Sequence, residues 1–222
     1  IRDSDLRTPL TSIYGACSAM RDNFDALPRQ THIKLLSDVC ADAQWLVRMV
    51  ENLLSVTRVD TSTVRLSKND TVLEELIDAV LVKFHKHYPD TEVHVEIPEE
   101  FVSIPMDAML ISQVLMNLLE NAVFHAKGMK NLWLRVEVKG FWAYFYVEDD
   151  GCGIPEEKLP KLFTGMLGSE TPTDQSRSSM GIGLSVCSAI IKAHGGEIWA
   201  NKRAGGGTEV GFRLEMEDEN GE

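Results

Sequence analysis

The sequence predicts an α+β protein: a helical hairpin that pairs with a second copy into a four-helix bundle, followed by a two-layer sandwich of helices over one β-sheet. Three observations carry this. Apolar residues recur every three or four positions from Leu6 to Leu54 with a break at Pro28. Further on they alternate with polar ones at Val93, Val95 and Ile97 and again from Leu132 to Val138. Helical patterns with turn signals lie between and after these alternating runs, which is the order of a sheet covered by helices.

Length and charge narrow the functions available. At 222 residues and 44% apolar the chain can bury a core in one large or two small domains. A net charge of −12 argues against nucleic acid or an anionic membrane as the main partner, since both need a basic surface. Any anion must be held by backbone dipoles, magnesium or a few placed cations. Cys17, Cys40, Cys152 and Cys187 are far apart, with no metal or disulfide spacing, which suits a reducing cytosol. No apolar run reaches the ~18–20 residues of a membrane span. The chain opens inside a motif, as a fragment of a longer protein does.

In the hairpin, residues 1–60, the first stripe runs Leu6, Leu10, Ile13, Cys17, Met20, Phe24 and Leu27. The second runs Ile33, Leu36, Cys40, Ala43, Val47, Val50 and Leu54, widened by Leu35, Val39, Leu46 and Leu53. That face exceeds what one partner helix covers, so a homodimer through residues 6–58 is expected. Near its start stands SDLRTPL, Ser4 to Leu10, with Pro9 expected to loosen the turn before it.

Residues 61–70 read as a linker or short pairing strand, 71–216 as the second domain and 217–222 as an acidic tail. Thr71 and Glu74 form a T-x-x-E capping box before a helix to His87. Val93–Ile97 is a strand, Ile104–Met106 an extended piece, and Asp107 the N-cap of a helix from Ala108 to Ala126. Leu132–Val138 and Phe141–Val147 form a hairpin about Gly140. A helix from Leu184 to His194 follows, then strands Glu197–Ala200 and Thr208–Leu214 around Gly205, Gly206 and Gly207.

Within this frame several residues suit chemistry better than packing. Asn117 and Asn121 lie one turn apart on the apolar helix QVLMNLLENAVFH, where two amides without partners would be costly. Asp149, Gly151 and Gly153 spell D-x-G-x-G, a carboxylate able to accept from an exocyclic amine beside glycines that admit a flat ligand. Gly181 and Gly183 precede a helix start at Leu184, where free N–H groups suit phosphate. Between these motifs lies Phe163 and a Ser/Thr/Gly-rich run, read as a mobile cover.

Taken in order, these motifs resemble the N, G1, F and G2 boxes of the gyrase, heat-shock chaperone, histidine kinase and mismatch-repair (GHKL) ATPase superfamily, over about Ser67–Met216. DLRTPL, Asp5 to Leu10, resembles the phosphoacceptor motif H-D/E-L-R/K-T-P-L of sensor histidine kinases, with Ser4 at the histidine's position. DLRTPLTSIYG, NLLENAV and GIGLSVCSAIIKAHGG resemble most the KdpD-type potassium-responsive sensor kinases. The resemblance implies a two-layer α/β ATP-binding domain of the GHKL type, using ATP and Mg²⁺. It implies that Asn121 coordinates Mg²⁺ with Asn117 assisting, that Asp149 bonds the adenine amine, that Gly151 and Gly153 border the base, and that Gly181, Gly183 and Leu184 border the phosphates. Asp5 and Thr8 would serve as base or orienter and as water-placing residue. The partner implied is a response regulator receiver domain, and the setting cytoplasmic, with membrane attachment only through upstream segments.

Several residues depart from that pattern. Ser4 is a weaker nucleophile than imidazole near neutral pH, so autophosphorylation in the usual way is not expected. Phe124 and His125 stand where lysine and an aromatic residue are common, Ser179 replaces a glycine, and Met166 an aromatic; Lys127, Lys130 or Arg177 are substitute cations. Nucleotide binding weaker than in a full-motif kinase is expected. A degenerate kinase acting as a nucleotide- and regulator-binding module, and a GHKL-type serine kinase, stay open beside the histidine kinase reading.

Overall fold

Apolar spacing of three and four gives two helices at the amino end, α1 (Asp3–Asp22) and α2 (Arg29–Asp60). The structure, a computed structural model, describes residues 3–60, 66–163 and 180–216 and divides into two units, Ile1–Leu54 and Ser55–Glu222. In the first unit the turn between the helices closes on itself, with the Ala26 and Leu27 N–H groups donating to the Asn23 carbonyl at 3.0 and 3.1 Å. The Phe24 ring meets His32 edge-on, centroids 5.2 Å apart. Much of the heptad surface remains open: Leu10, Tyr14, Ile33, Leu36, Val47 and Val50 are exposed, Tyr14 by 71%.

The second unit begins with β1 (Asn69–Val72), which pairs antiparallel with β3 (Ser103–Met106). This pairing overturns the expected capping box. Thr71 lies in the strand and its hydroxyl donates to the Asn69 carbonyl at 3.0 Å. Val72 becomes the N-cap of α3 (Leu73–His87) without a side-chain bond, and the Leu73 N–H is taken by the Val102 carbonyl at 3.0 Å. A backbone contact thus satisfies one of the first N–H groups of the helix without a side-chain cap.

The main sheet holds β2 (Val93–Glu96), β4 (Leu132–Lys139), β5 (Trp142–Asp149), β7 (Thr208–Glu215) and β6 (Glu197–Lys202) in that spatial order. β2 runs parallel to β4 and every other pairing is antiparallel. Period-two alternation sends Leu132, Leu134, Val136, Ala143, Phe145 and Phe212 to one face, where all are buried. Onto that face pack α3, α4 (Ala108–His125) and α5 (Met180–Ala193), with Ile111, Val114, Leu115 and Leu119 of α4 fully enclosed. At about 1.5–3 kcal/mol for each large side chain removed from water, this layer contact outweighs intrinsic helix propensity.

The other sheet face carries Trp133, Trp142 and Trp199 with Tyr144 and Tyr146. Guanidinium groups lie over three of these rings: Arg135 on Tyr146, Arg203 on Trp133 and Arg213 on Trp142, at 4.2–4.4 Å. Glu148 ties two of them, accepting from Arg135 at 2.8 Å and Arg203 at 3.1 Å.

α5 starts earlier than expected. The glycine pair predicts a start at Leu184, yet the helix begins at Met180, so Gly181 and Gly183 lie in its first turn. The first-turn N–H groups have no acceptor within the helix, so these glycines leave donors at its start.

Candidate functional site

The alternation that builds the core also drives a carboxylate into it. Phe145, Val147 and Asp149 share the helix-facing side of β5, and Asp149, at the strand's end, is 6% exposed. It accepts from the Gly151 N–H at 2.9 Å and from the backbone and hydroxyl of buried Thr208. Burial pushes its pKa up, and the Gly151 and Thr208 bonds oppose that shift.

Two glycine loops interlock around it. A Cβ on Gly151 would stand 2.6 Å from the Ala126 methyl, so the turn after Asp149 lies directly on the end of α4. Gly207, at φ +93, comes so close that a Cβ there would be 1.9 Å from the Asp149 carbonyl oxygen. Only glycine fits these two positions.

Facing Asp149 across a cleft is the carboxyl-terminal part of α4. Leu118, Asn121, Ala122 and His125 line it from the helix, followed by Ala126. Val147, Asp149, Gly153, Ile154, Leu184, Thr208 and Val210 complete the walls of a cleft that opens to solvent. Mostly apolar walls with a few convergent polar groups suit a flat, largely apolar ligand carrying an amine for the buried carboxylate. Nδ2 of Asn121 is buried and has no partner among the described residues. Such a group is a candidate for a ligand contact.

The structure gathers Asn121, Asp149, Gly153 and Leu184 at the cleft, with Gly151 behind its wall and Gly181 and Gly183 in the first turn of the helix that brings Leu184. Asn117 is not part of the lining. Its amide is hydrogen-bonded to Cys187 of α5, a thiol whose complete burial pushes its pKa up to about 12. The two amides of α4 therefore part ways, one to the cleft and one to the helix interface. Phe124, 39% exposed, sets its ring edge-on to Tyr88 at 5.9 Å and leaves the wall to His125. Thr8 is exposed on α1; Ser4 and Asp5 lie in the same helix, with side chains outside the described residues. Phe163 packs against the core, while the expected cover at 164–179, with Met166, Arg177 and Ser179, also lies outside them.

Sequence reading missed two contributors, Thr208 and Ala126. The glycine run before Thr208 was the available signal, since three consecutive positive-φ residues direct the strand start onto Asp149. It also missed the clamp at the far end of the helix pair. His194, 4% exposed, accepts the Asp107 N–H on Nε2 at 3.1 Å and meets the Ile190 carbonyl with Nδ1 at 2.8 Å. A carbonyl only accepts, so the hydrogen sits on Nδ1 and the ring is neutral. Burial lowers its pKa, which favours that state. Asp107 caps α4 through its own Oδ1, taking the Leu110 N–H at 3.2 Å. The end of α5 thereby completes the cap of α4, as the far residue of a capping box would.

Among the described residues no three His, Cys, Asp or Glu side chains converge on a metal position. A divalent cation in the cleft would depend on Asn121 and on oxygens brought by the ligand.

Comparison with known proteins gives two family matches. The model described as histidine kinase-, DNA gyrase B- and HSP90-like ATPase matches residues 106–218, and His Kinase A (phospho-acceptor) domain matches residues 5–62. The sensor protein KdpD of Clostridium acetobutylicum is 33% identical over 214 residues, 96% of this chain and 24% of that protein. The chain thus spans about a quarter of that relative's length. Among solved structures, the Acinetobacter baumannii histidine kinase AdeS is 25% identical with a TM-score of 0.69, covering 96% of this chain and 98% of that one. Histidine kinase ThkA, crystallised in complex with the response regulator TrrA, has a TM-score of 0.74 at 24% identity over 98% of this chain and 60% of that one, a likeness of fold.

Proposed function

The chain belongs to the histidine kinase-, DNA gyrase B- and HSP90-like ATPase family, preceded by a phospho-acceptor-type helical domain, and from that premise we propose that it is the ATP-binding and dimerising core of a two-component sensor histidine kinase. The single observation that carries the nucleotide reading is Asp149, a carboxylate 6% exposed on the floor of an apolar cleft. An acceptor-only group there selects a base with an exocyclic amine. Asn121 reaches the same cleft from the opposite wall, and the first turn of α5, which brings Leu184 to the cleft, carries N–H groups without an intrahelical acceptor, the kind that meet phosphate.

The residues fit a nucleotide-borne magnesium ion rather than a protein cage. Nδ2 of Asn121, without a partner among the described residues, is a donor for a phosphate oxygen, and its Oδ1 is the atom that would hold Mg²⁺, which ordinarily takes one or two protein oxygens with phosphates and water completing its shell. Bound there it would offset phosphate charge. Asn117, engaged with Cys187, would assist only through water.

The exposed apolar stripe of α1 and α2 is the surface a second copy would cover, giving the four-helix bundle. The partner for phosphoryl transfer is a response regulator receiver domain, the class of protein seen with ThkA. Among the described residues no helix is long and apolar enough to cross a membrane. The core is read as working on the cytoplasmic side of a membrane-anchored parent.

Ser4 occupies the acceptor position, which favours one second reading, a regulatory module that binds nucleotide and regulator without transferring phosphate. Radiolabelled ATP given to the chain and to Ser4→His separates the readings. Acid-labile label on the histidine variant alone supports kinase chemistry in the parent. Acid-stable label on Ser4 supports a serine kinase, and no label on either, with ATP still bound, supports the module.

A further inference from the structure

One residue of the D-x-G-x-G loop has no place in that reading. Asp150 follows the buried Asp149 and turns its carboxylate toward the loop between α4 and β4. Its Oδ1 accepts the Lys130 N–H at 2.7 Å and the Asn131 N–H at 2.9 Å, and its Oδ2 accepts from Nδ2 of Asn131 at 2.7 Å. The Asn131 and Lys130 N–H groups hold its pKa down to about 2, so the carboxylate is ionised at any working pH. All three partners lie on a single loop.

That loop starts at the cleft. Ala126 lines the wall, its carbon and oxygen stand 2.8 Å from where a Gly151 Cβ would be, and its carbonyl takes the Met129 N–H at 3.0 Å as the chain turns through Gly128 at φ +79. On the other side the thiol of Cys152 donates to the His125 carbonyl at 3.6 Å, a long contact that adds little. The side-chain ties between the loop that follows α4 and the loop after β5 are those of Asp150, one position beyond the β4–β5 ladder that pairs Leu132 with Asp149.

We propose that Asp150 is a positioning residue for the nucleotide cleft: through Lys130 and Asn131 it tacks the loop that follows α4 onto the D-x-G-x-G loop and so fixes Ala126 against Gly151, the wall beside Asp149 where the base would lie. This rests on the nucleotide reading above. The tack acts on the adenine side of the cleft and leaves the phosphate side alone.

The geometry dictates a swap test. In Asp150→Asn the remaining oxygen keeps the Lys130 and Asn131 N–H groups, the new NH₂ faces Nδ2 of Asn131 until that amide turns its oxygen round, and all three bonds lose their charged acceptor. Asn131→Asp sets two carboxylates face to face. The double swap restores one carboxylate against one amide at unchanged net charge. Binding of Mg-ATP and of adenosine to the full chain is measured by titration calorimetry, alongside unliganded melting. Asp150→Asn is expected to weaken both ligands by the same factor, about tenfold, Asn131→Asp at least as much, and the double swap to return within about twofold, since directly bonded residues are strongly non-additive.

Each result decides something. Wild-type chain that takes up neither ligand refutes the nucleotide reading and the tack with it. If wild type binds and Asp150→Asn binds equally well, the tack alone fails. A loss confined to ATP, or a double swap that regains its melting temperature without its affinity, also overturns the tack. Should a single variant fail to fold, the double swap still carries the comparison, and its failure to bind counts against the proposal.

Discussion

Asp149→Asn tests the buried carboxylate most directly. A hydrogen bond from an exocyclic amine to a charged acceptor contributes about 1.5–3 kcal/mol in a desolvated site. Its loss should weaken ATP binding by about ten- to a hundredfold. Stability moves differently. Burial raises the pKa of Asp149 above its ordinary 3.8, opposed by the Gly151 and Thr208 bonds. The fold therefore favours the protonated acid, and the stability this gives is full below pH 3.8 and lost as pH rises through the raised value. At neutral pH the neutral amide escapes that penalty, though it surrenders one acceptor to Thr208 or Gly151. We expect the variant to melt at or slightly above the parent at pH 7.5 while binding poorly, as measured by calorimetry and thermal melting. Undiminished ATP binding would refute the adenine contact, and a large fall in melting temperature would recast Asp149 as a structural acceptor.

Three further outcomes follow from other parts of the molecule. His194→Ala should lower the unfolding free energy by about 1–3 kcal/mol through the orphaned Asp107 N–H. Because the folded pKa of His194 is depressed, its contribution is present above about pH 6.5 and lost as pH falls below that, so urea midpoints between pH 7.5 and 5.5 should drop more for the parent than for the variant. Gly207→Ala, with its Cβ 1.9 Å from the Asp149 oxygen, should abolish folding or cost far more than Gly205→Ala, which shares a positive φ but meets open space; paired melting curves read the difference. Phe124→Lys should tighten ATP binding severalfold in a salt-sensitive manner at little cost in stability, since the ring is 39% exposed; a Kd unchanged between low and high salt would count against it.

Local pattern carried much of this architecture. Alternation along Phe145, Val147 and Asp149 is enough to bury the carboxylate, and Asp107 serves as the cap that its position suggested. What sequence reading could not reach depends on partners remote in the chain. Asn117 looks like the twin of Asn121 because both stand on one apolar helix, yet a cysteine seventy positions later draws it away. Thr71 has the spacing of a cap, but pairing with β3 claims its backbone first. Gly181 and Gly183 read as lying ahead of a helix that starts at Leu184, but the helix starts at Met180 and takes both into its first turn.

The open face of the sheet has a practical corollary. Three of the chain's four tryptophans, Trp133, Trp142 and Trp199, are anchored there among arginines and tyrosines, and the fourth, Trp45, belongs to α2. Val147, Asp149 and Val210, on the strands' opposite side, line the cleft, and among the described residues no indole does. With Trp45 replaced by phenylalanine, intrinsic emission is therefore a gauge of the sheet's outer surface, quenched or shifted when that surface is covered or unravels. A molecule filling the cleft leaves it almost silent, so occupancy and unfolding can be followed as separate signals in one sample.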